Sequence, residues 1–126
     1  MRFIGAFMLA AGLAAANAAP ARADDAILGE WLRDTGASRV RFAPCGGAVC
    51  GVIVWLRDKD SPAKVGQRIF FDMKASGANA WAGSAFNPED GKTYSGKMTL
   101  SGNSLSTSGC VLGGLICKSV DWTRAK

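Results

Sequence analysis

Hydrophobic and polar residues alternate in short segments along this chain, and glycine, asparagine, aspartate or proline separates one segment from the next. A period of two places one set of side chains inside a β-sheet and the other set in solvent. The pattern requires no helix and predicts eight strands, at residues 27–33, 38–43, 49–56, 68–74, 79–86, 92–100, 103–109 and 118–124. The alternation predicts an inward-facing set made up of Val40, Phe42, Ile69, Phe71, Met73, Tyr94, Met98 and Leu100.

The connections between these predicted strands are typical of β-hairpins. Residues 87–92 contain a proline followed by an Asp-Gly pair, and residues 101–103 join two alternating segments tightly. Sequential strands without a crossover helix favour an all-β, eight-stranded antiparallel up-and-down barrel over a sandwich, because closure removes both exposed edges. The longest connection, residues 57–67, is polar and is either a flexible rim or a lid over an opening.

The two ends of the predicted barrel sequence carry a pattern typical of closure. Gly29-x-Trp31 lies in the first predicted strand and Trp122-x-Arg124 ends the last one. A cation can cover an indole face where first and last strands meet. We therefore predict that Gly29, Trp31, Trp122 and Arg124 close the barrel, with both tryptophans at its closed end.

The N-terminal segment has the pattern of a secretory signal peptide. Arg2 supplies a positive charge, residues 3–16 are apolar, and Ala21-Arg22-Ala23 is a small-x-small cleavage site. The apolar stretch is shorter than the roughly 20 residues that span a bilayer. We expect cleavage after Ala23, a periplasmic or secreted location without a transmembrane anchor, and a single domain over residues 24–126.

The four cysteines lie in the part of the chain that is expected to be exported. Each pair is close in sequence and sits in a glycine-rich turn, which favours disulfides Cys45–Cys50 and Cys110–Cys117 over the other connectivities. A zinc site is the competing interpretation. It is disfavoured because the chain has no histidine, the spacings differ from those of zinc ribbons, and the compartment is oxidising. We expect no metal and no cofactor.

Charge and candidate chemistry narrow the class of function. The formal net charge is +5 at pH 7, with scattered cations and no nucleic-acid motif, so we expect no nucleic-acid partner. Without histidine, serine or cysteine hydrolysis lacks its usual base. Glu89 and Asp90 are adjacent turn residues and cannot readily flank a bond from opposite faces. We predict no catalytic residues and a protein that is not an enzyme.

Several motifs occur together and in order along the chain, from Gly29-x-Trp31 to Trp122-Thr123-Arg124. Between them lie Pro44-Cys45-Gly46, the cysteine-rich strand Cys50-Gly51-Val52-Ile53-Val54-Trp55-Leu56, Trp81-Ala82-Gly83, Asn87-Pro88-Glu89-Asp90-Gly91-Lys92-Thr93-Tyr94 and Gly109-Cys110. In these motifs the chain resembles the exported bacterial family known as domain of unknown function 2147 (DUF2147). The resemblance implies a small periplasmic barrel of lipocalin-like type that holds an apolar or amphipathic ligand, and it implies no catalytic residues.

The interior of an eight-stranded barrel is either filled by its own side chains or holds one small ligand. If it is hollow, we predict a binding protein for a small hydrophobic or amphipathic molecule, with Tyr94 as a polar contact. Both faces of the strands that carry Trp55 and Trp81 are rather apolar, so their side-chain directions stay open. The candidate ligand-binding residues are Phe42, Trp55, Phe71, Met73, Trp81, Tyr94 and Met98.

A filled barrel would favour an envelope structural or protein-interaction module instead. Its candidate surface is the loop from Cys110 to Cys117, which carries four aliphatic residues. That loop either folds back onto the end of the barrel or presents these residues to an envelope protein or a membrane. Of the two functions, the sequence favours the binding protein.

Overall fold

The structure, a computed structural model, describes residues 23–125. Residues 1–22 of the predicted signal peptide lie outside the described residues. A short 3₁₀ turn at Ala23–Ala26 precedes the first strand, and a second one at Leu112–Gly114 connects the last two. The strands are β1 Gly29–Arg33, β2 Ser38–Cys45, β3 Ala48–Leu56, β4 Arg68–Gly77, β5 Ala80–Asn87, β6 Lys92–Ser101, β7 Ser104–Val111 and β8 Ile116–Arg124.

Each strand pairs in antiparallel fashion with the next, and β1 pairs with β8 to complete a closed eight-stranded barrel. This confirms the predicted fold class. The register at the closure places Trp31 opposite Arg124 and Arg33 opposite Trp122. Within residues 23–125, no helix is long and apolar enough to cross a bilayer.

Both predicted disulfides are present, and they lie at opposite ends of the barrel. Cys45–Cys50 links β2 to β3 across their tight turn. Cys110–Cys117 joins β7 to β8, where the two cysteines are also register partners. Each bridge therefore closes a local hairpin.

The facing of β4 differs from the predicted alternation. Asp72 has a φ of 49°, and the pairing with β5 shifts between Phe71 and Lys74. The extra residue of such a bulge puts Phe70 and Met73 inside, where they are buried. The prediction that Phe71 faces inward was wrong, because a regular period of two does not anticipate the bulge. Phe71 is half-buried, with the guanidinium of Arg68 5.7 Å from its ring centroid.

The packed part of the core fills the end of the barrel where the chain enters and leaves. The rings of Phe42 and Phe70 pack at a tilt of 40° with 5.3 Å between their centroids, and Gly51 lies against both. A Cβ on Gly51 would lie 2.7 Å from Phe42 and 2.9 Å from Phe70, so only glycine admits this aromatic pair. Other large side chains buried in this core are Ile27, Trp31, Val40, Met73, Trp81, Met98 and Leu105.

Arg124 covers the closed end together with Trp31. Its guanidinium carbon lies 4.1 Å from the centroid of the buried Trp31 ring and its Nη1 donates to the Leu28 carbonyl at 2.8 Å. The Trp31 indole N–H donates to the Ile27 carbonyl at 2.9 Å. The hydrogen bonds satisfy the Trp31 indole N–H and the Arg124 Nη1, and the guanidinium covers the face of the indole ring.

Candidate functional site

The end of the barrel opposite this closure opens into a cavity of about 980 Å³, called here the mouth cavity. The ends of the strands that meet there surround it, with the β1–β2, β3–β4 and β5–β6 connections at its edge. Its volume lies at the upper end of the range of roughly 300–1,000 Å³ that small-molecule sites occupy. The cavity is therefore large enough for a small organic molecule.

The inner wall of the mouth cavity is largely apolar. Phe70 and Trp122 meet edge to face at 6.4 Å between ring centroids. The indole N–H of Trp122 donates to Thr107 Oγ1 at 2.9 Å, so its polar atom is satisfied within the wall. Further apolar lining comes from Ile53, Leu56, Ile69, Ala85 and Val120. This surface suits the apolar part of a ligand.

Charged residues also line the mouth cavity. The cations are Arg33, Arg57, Lys92 and Lys118, and the acidic residues are Asp58 and Glu89. Arg57 Nη1 donates to the Thr35 carbonyl at 3.0 Å, and the Asp58 carboxylate accepts from the Asp60 amide at 2.9 Å. An amphipathic molecule would match this combination of an apolar wall and a charged edge.

The long β3–β4 connection is held to the barrel at its returning end. The amide of Ile53 donates to the Gln67 carbonyl at 2.9 Å, and the amide of Gly66 donates back to Ile53 at 2.8 Å. Ala63, which lines the cavity, packs against the hydrophobic core. These contacts favour a rim over a lid, but the rim is anchored to the barrel and not flexible along its whole length as predicted.

Tyr94 and Asp90 form a polar pair at the edge of the cavity. The Tyr94 hydroxyl donates to the Asp90 carboxylate, and this hydrogen bond raises the pKa of Tyr94, with burial adding to the effect. The same bond lowers the pKa of Asp90, with further lowering from the Lys92 amide and the charges of Lys92 and Lys118 against an opposing effect of burial. The carboxylate is thus charged and the phenol neutral near pH 7.

Of the candidate ligand-binding residues, only Tyr94 lines the mouth cavity. Trp55 is 40% exposed and lies 5.7 Å from the guanidinium of Arg39, which is its cross-strand neighbour. Phe71 also lies outside the cavity, because the bulge in β4 places Phe70 and Met73 inside instead. The remaining candidates are buried in the closed-end core, namely Phe42, Met73, Trp81 and Met98.

The sequence analysis missed Arg33 and most of the apolar wall. In an up-and-down barrel, the mouth is built from the last residues of odd-numbered strands and the first residues of even-numbered ones. Ile53 and Leu56 lie at such positions, so the predicted strand order already contained the signal that would find them. The direction of Phe70 depends on the bulge in β4 and could not be found in this way. Trp122, predicted at the closed end, is buried between the core and the cavity and lines the latter.

Among residues 23–125, no group of three or more histidine, cysteine, aspartate or glutamate side chains is placed to hold a metal ion. The polar groups of the cavity are instead isolated charges, hydroxyls and the Tyr94–Asp90 pair. What the arrangement offers is therefore an apolar surface with a few polar contacts.

Comparisons with known proteins agree with this architecture. The model of a family described as an uncharacterised protein conserved in bacteria (DUF2147) matches residues 29–124. A solved structure described as protein HP1028 from the human pathogen Helicobacter pylori, which belongs to the lipocalin family, has a TM-score of 0.62. It is 20% identical in sequence, and the alignment covers 79% of this chain and 83% of that chain. A search of curated proteins finds no match.

Proposed function

The chain belongs to the bacterial DUF2147 family, and we propose that its barrel binds a small hydrophobic or amphipathic molecule in the mouth cavity. The protein sequesters or carries this molecule and performs no reaction on it. The observation that carries the proposal is the cavity itself, which combines about 980 Å³ of space with an apolar wall and a charged edge. The lipocalin-like fold of the similar solved structure supports a binding role.

The state of the polar pair supports binding over catalysis. A general acid or base works best when its pKa lies near the working pH. The pKa of Asp90 is lowered and that of Tyr94 is raised, mainly by their mutual hydrogen bond, so both move away from neutrality. The Tyr94–Asp90 pair therefore serves as a polar contact for a ligand.

We propose that the protein works in the periplasm or after secretion. Two disulfides, Cys45–Cys50 and Cys110–Cys117, support an oxidising compartment outside the cytoplasm. The export signal predicted at residues 1–23 belongs to the same proposal.

A cavity-filling variant tests the binding proposal. Ala85 lines the cavity, whereas Ala82 on the same strand is exposed and lies outside the lining. Binding of the neutral probe N-phenyl-1-naphthylamine, followed by fluorescence titration, should weaken at least about tenfold in Ala85→Phe, because the ring occupies ligand space. Ala82→Phe is the matched control and should bind like the original protein. Equal binding by both variants would place the ligand elsewhere.

A second candidate function rests on the exposed tip of the β7–β8 hairpin. Leu115 is 82% exposed and Leu112 is 70% exposed, so the tip of the loop between Cys110 and Cys117 does not fold back onto the barrel. Val111 and Ile116, at the base of the loop, line the mouth cavity. Exposed aliphatic residues on a stapled loop favour contact with an envelope protein. Leu115→Glu separates the two functions: it should leave probe binding unchanged under the cavity proposal, and abolish capture of a partner under the second.

A further inference from the structure

Arg33 is an arginine on the inner face of the barrel. It follows the buried Trp31 by two positions on β1, so the two side chains share a face, and it pairs across the strands with Trp122. It lines the mouth cavity, and its Nε atom is buried without a hydrogen-bond partner among the described residues. A guanidinium carries a positive charge and donates hydrogen bonds but accepts none.

The other cations that line the cavity are exposed, whereas Arg33 is half-buried. Arg57 donates to the Thr35 carbonyl. The side chains of Lys92 and Lys118 are exposed to solvent. No described carboxylate forms an ion pair with Arg33. Among the described cations that line the cavity, Arg33 alone is not exposed, and it alone has a buried donor without a hydrogen-bond partner.

Arg39 provides a useful contrast, because its Nε is also buried without a hydrogen-bond partner. Its guanidinium, however, lies 5.7 Å from the centroid of the Trp55 ring, and neither residue lines the mouth cavity. The cation–π contact with Trp55 stabilises the charge of the Arg39 guanidinium. Within residues 23–125, no aromatic ring makes such a contact with Arg33.

The Nε atom has almost no exposed surface, so a molecule in the mouth cavity meets the guanidinium through its terminal nitrogens. An unpaired charge beside an apolar wall is stabilised when an acceptor of opposite charge reaches it. The ligand that best supplies this acceptor carries a carboxylate or a phosphate, since a guanidinium binds either with paired hydrogen bonds. The rest of the ligand must be apolar, because Ile53, Phe70 and Trp122 form the wall around the same space. These two requirements together describe an anionic amphiphile.

We propose that the mouth cavity takes an amphiphile with an anionic head, a carboxylate or a phosphate, and that Arg33 binds that head. The proposal rests on the binding function above and adds to it the charge of the ligand and the residue that recognises it. A free fatty acid would supply the first head and a phosphate-bearing lipid the second.

Ligands that share one alkyl chain and differ in the head test the proposal. Dodecanoate, dodecyl phosphate and dodecanol are titrated below their micellar concentrations against the protein loaded with N-phenyl-1-naphthylamine. We expect at least one of the two anions to displace the probe about tenfold or more better than dodecanol. The order of the two anions distinguishes a carboxylate ligand from a phosphate ligand.

Arg33→Met should remove this preference while dodecanol binding stays the same, and Arg39→Met, the matched control, should retain it. Thermal unfolding establishes that both variants are folded, and Arg33→Gln replaces Arg33→Met if the latter is not. Equal binding of all three ligands to the original protein, or an unchanged preference in Arg33→Met, would overturn the role of Arg33 while leaving the binding function intact. Failure of every ligand and of the probe would instead overturn the binding function itself.

Discussion

At the scale of single residues, one hydrogen bond stabilises the charged form of Asp90 at the edge of the cavity. Tyr94 donates to Asp90, while Lys92 and Lys118 act on the same carboxylate through their charges. Because the bond favours the charged carboxylate, it holds the pKa of Asp90 below its ordinary value. The bond also occupies the Tyr94 hydroxyl, so a ligand meets this residue first through its ring and through the oxygen's free lone pairs.

Tyr94→Phe should therefore raise the pKa of Asp90 toward the ordinary value near 4 for aspartate. A depressed folded-state pKa gives stability that is present above the unfolded value and is lost as the pH falls through the folded value. The stability difference between Tyr94→Phe and the original protein should accordingly vanish in acid. The pKa is measured by NMR titration of the Asp90 carboxyl, with Ser95→Ala as control. An unshifted titration would show that the bond is not formed in solution.

Individual residues also show which positions could be predicted from the sequence and which could not. The contact between Trp31 and Arg124 could be predicted because the residue types and their places in the first and last strands have a direct physical reason. Phe70 could not be assigned to the cavity, because its direction depends on the bulge at Asp72. An aspartate in the left-handed region leaves no distinctive trace in the alternation of hydrophobic and polar positions.

At the scale of elements, the first and last strands form the joint on which the barrel depends. Arg124 on β8 stacks on Trp31 of β1 and donates to the Leu28 carbonyl at 2.8 Å and to the Ala26 carbonyl at 2.5 Å. One side chain thereby ties the last strand both to the first strand and to the segment before it. The strands themselves were predictable, because alternation and turn residues act over a few neighbouring positions.

Arg124→Met should lower the free energy of unfolding by about 2 kcal/mol, because it removes charged hydrogen bonds and a cation–π contact together. Arg68→Met is the matched control. Its guanidinium lies over Phe71 at 5.7 Å, and its loss should cost less than about 1 kcal/mol. Urea denaturation of the three proteins gives the comparison. If both variants lost the same free energy of unfolding, the contacts of Arg124 would stabilise the barrel no more than an ordinary surface contact does.

At the scale of the whole molecule, the two ends of the barrel differ in what fills them. Large side chains such as Trp81 and Met98 pack the closed end, while the mouth cavity occupies the other end below a rim of loops. The sequence left open whether the barrel is hollow, because that property depends on where along each strand the large residues lie. It also assigned Phe42, Trp81 and Met98 to a pocket that the structure forms from other residues.

The measurement that tests the central claim most directly is native mass spectrometry of the exported protein, purified without added lipid or detergent. The account predicts a complex heavier than the polypeptide by one small molecule, which organic extraction releases as an amphiphile. A bare polypeptide that stays unchanged after exposure to envelope lipids would contradict the binding function. It would direct attention to the exposed loop between Cys110 and Cys117.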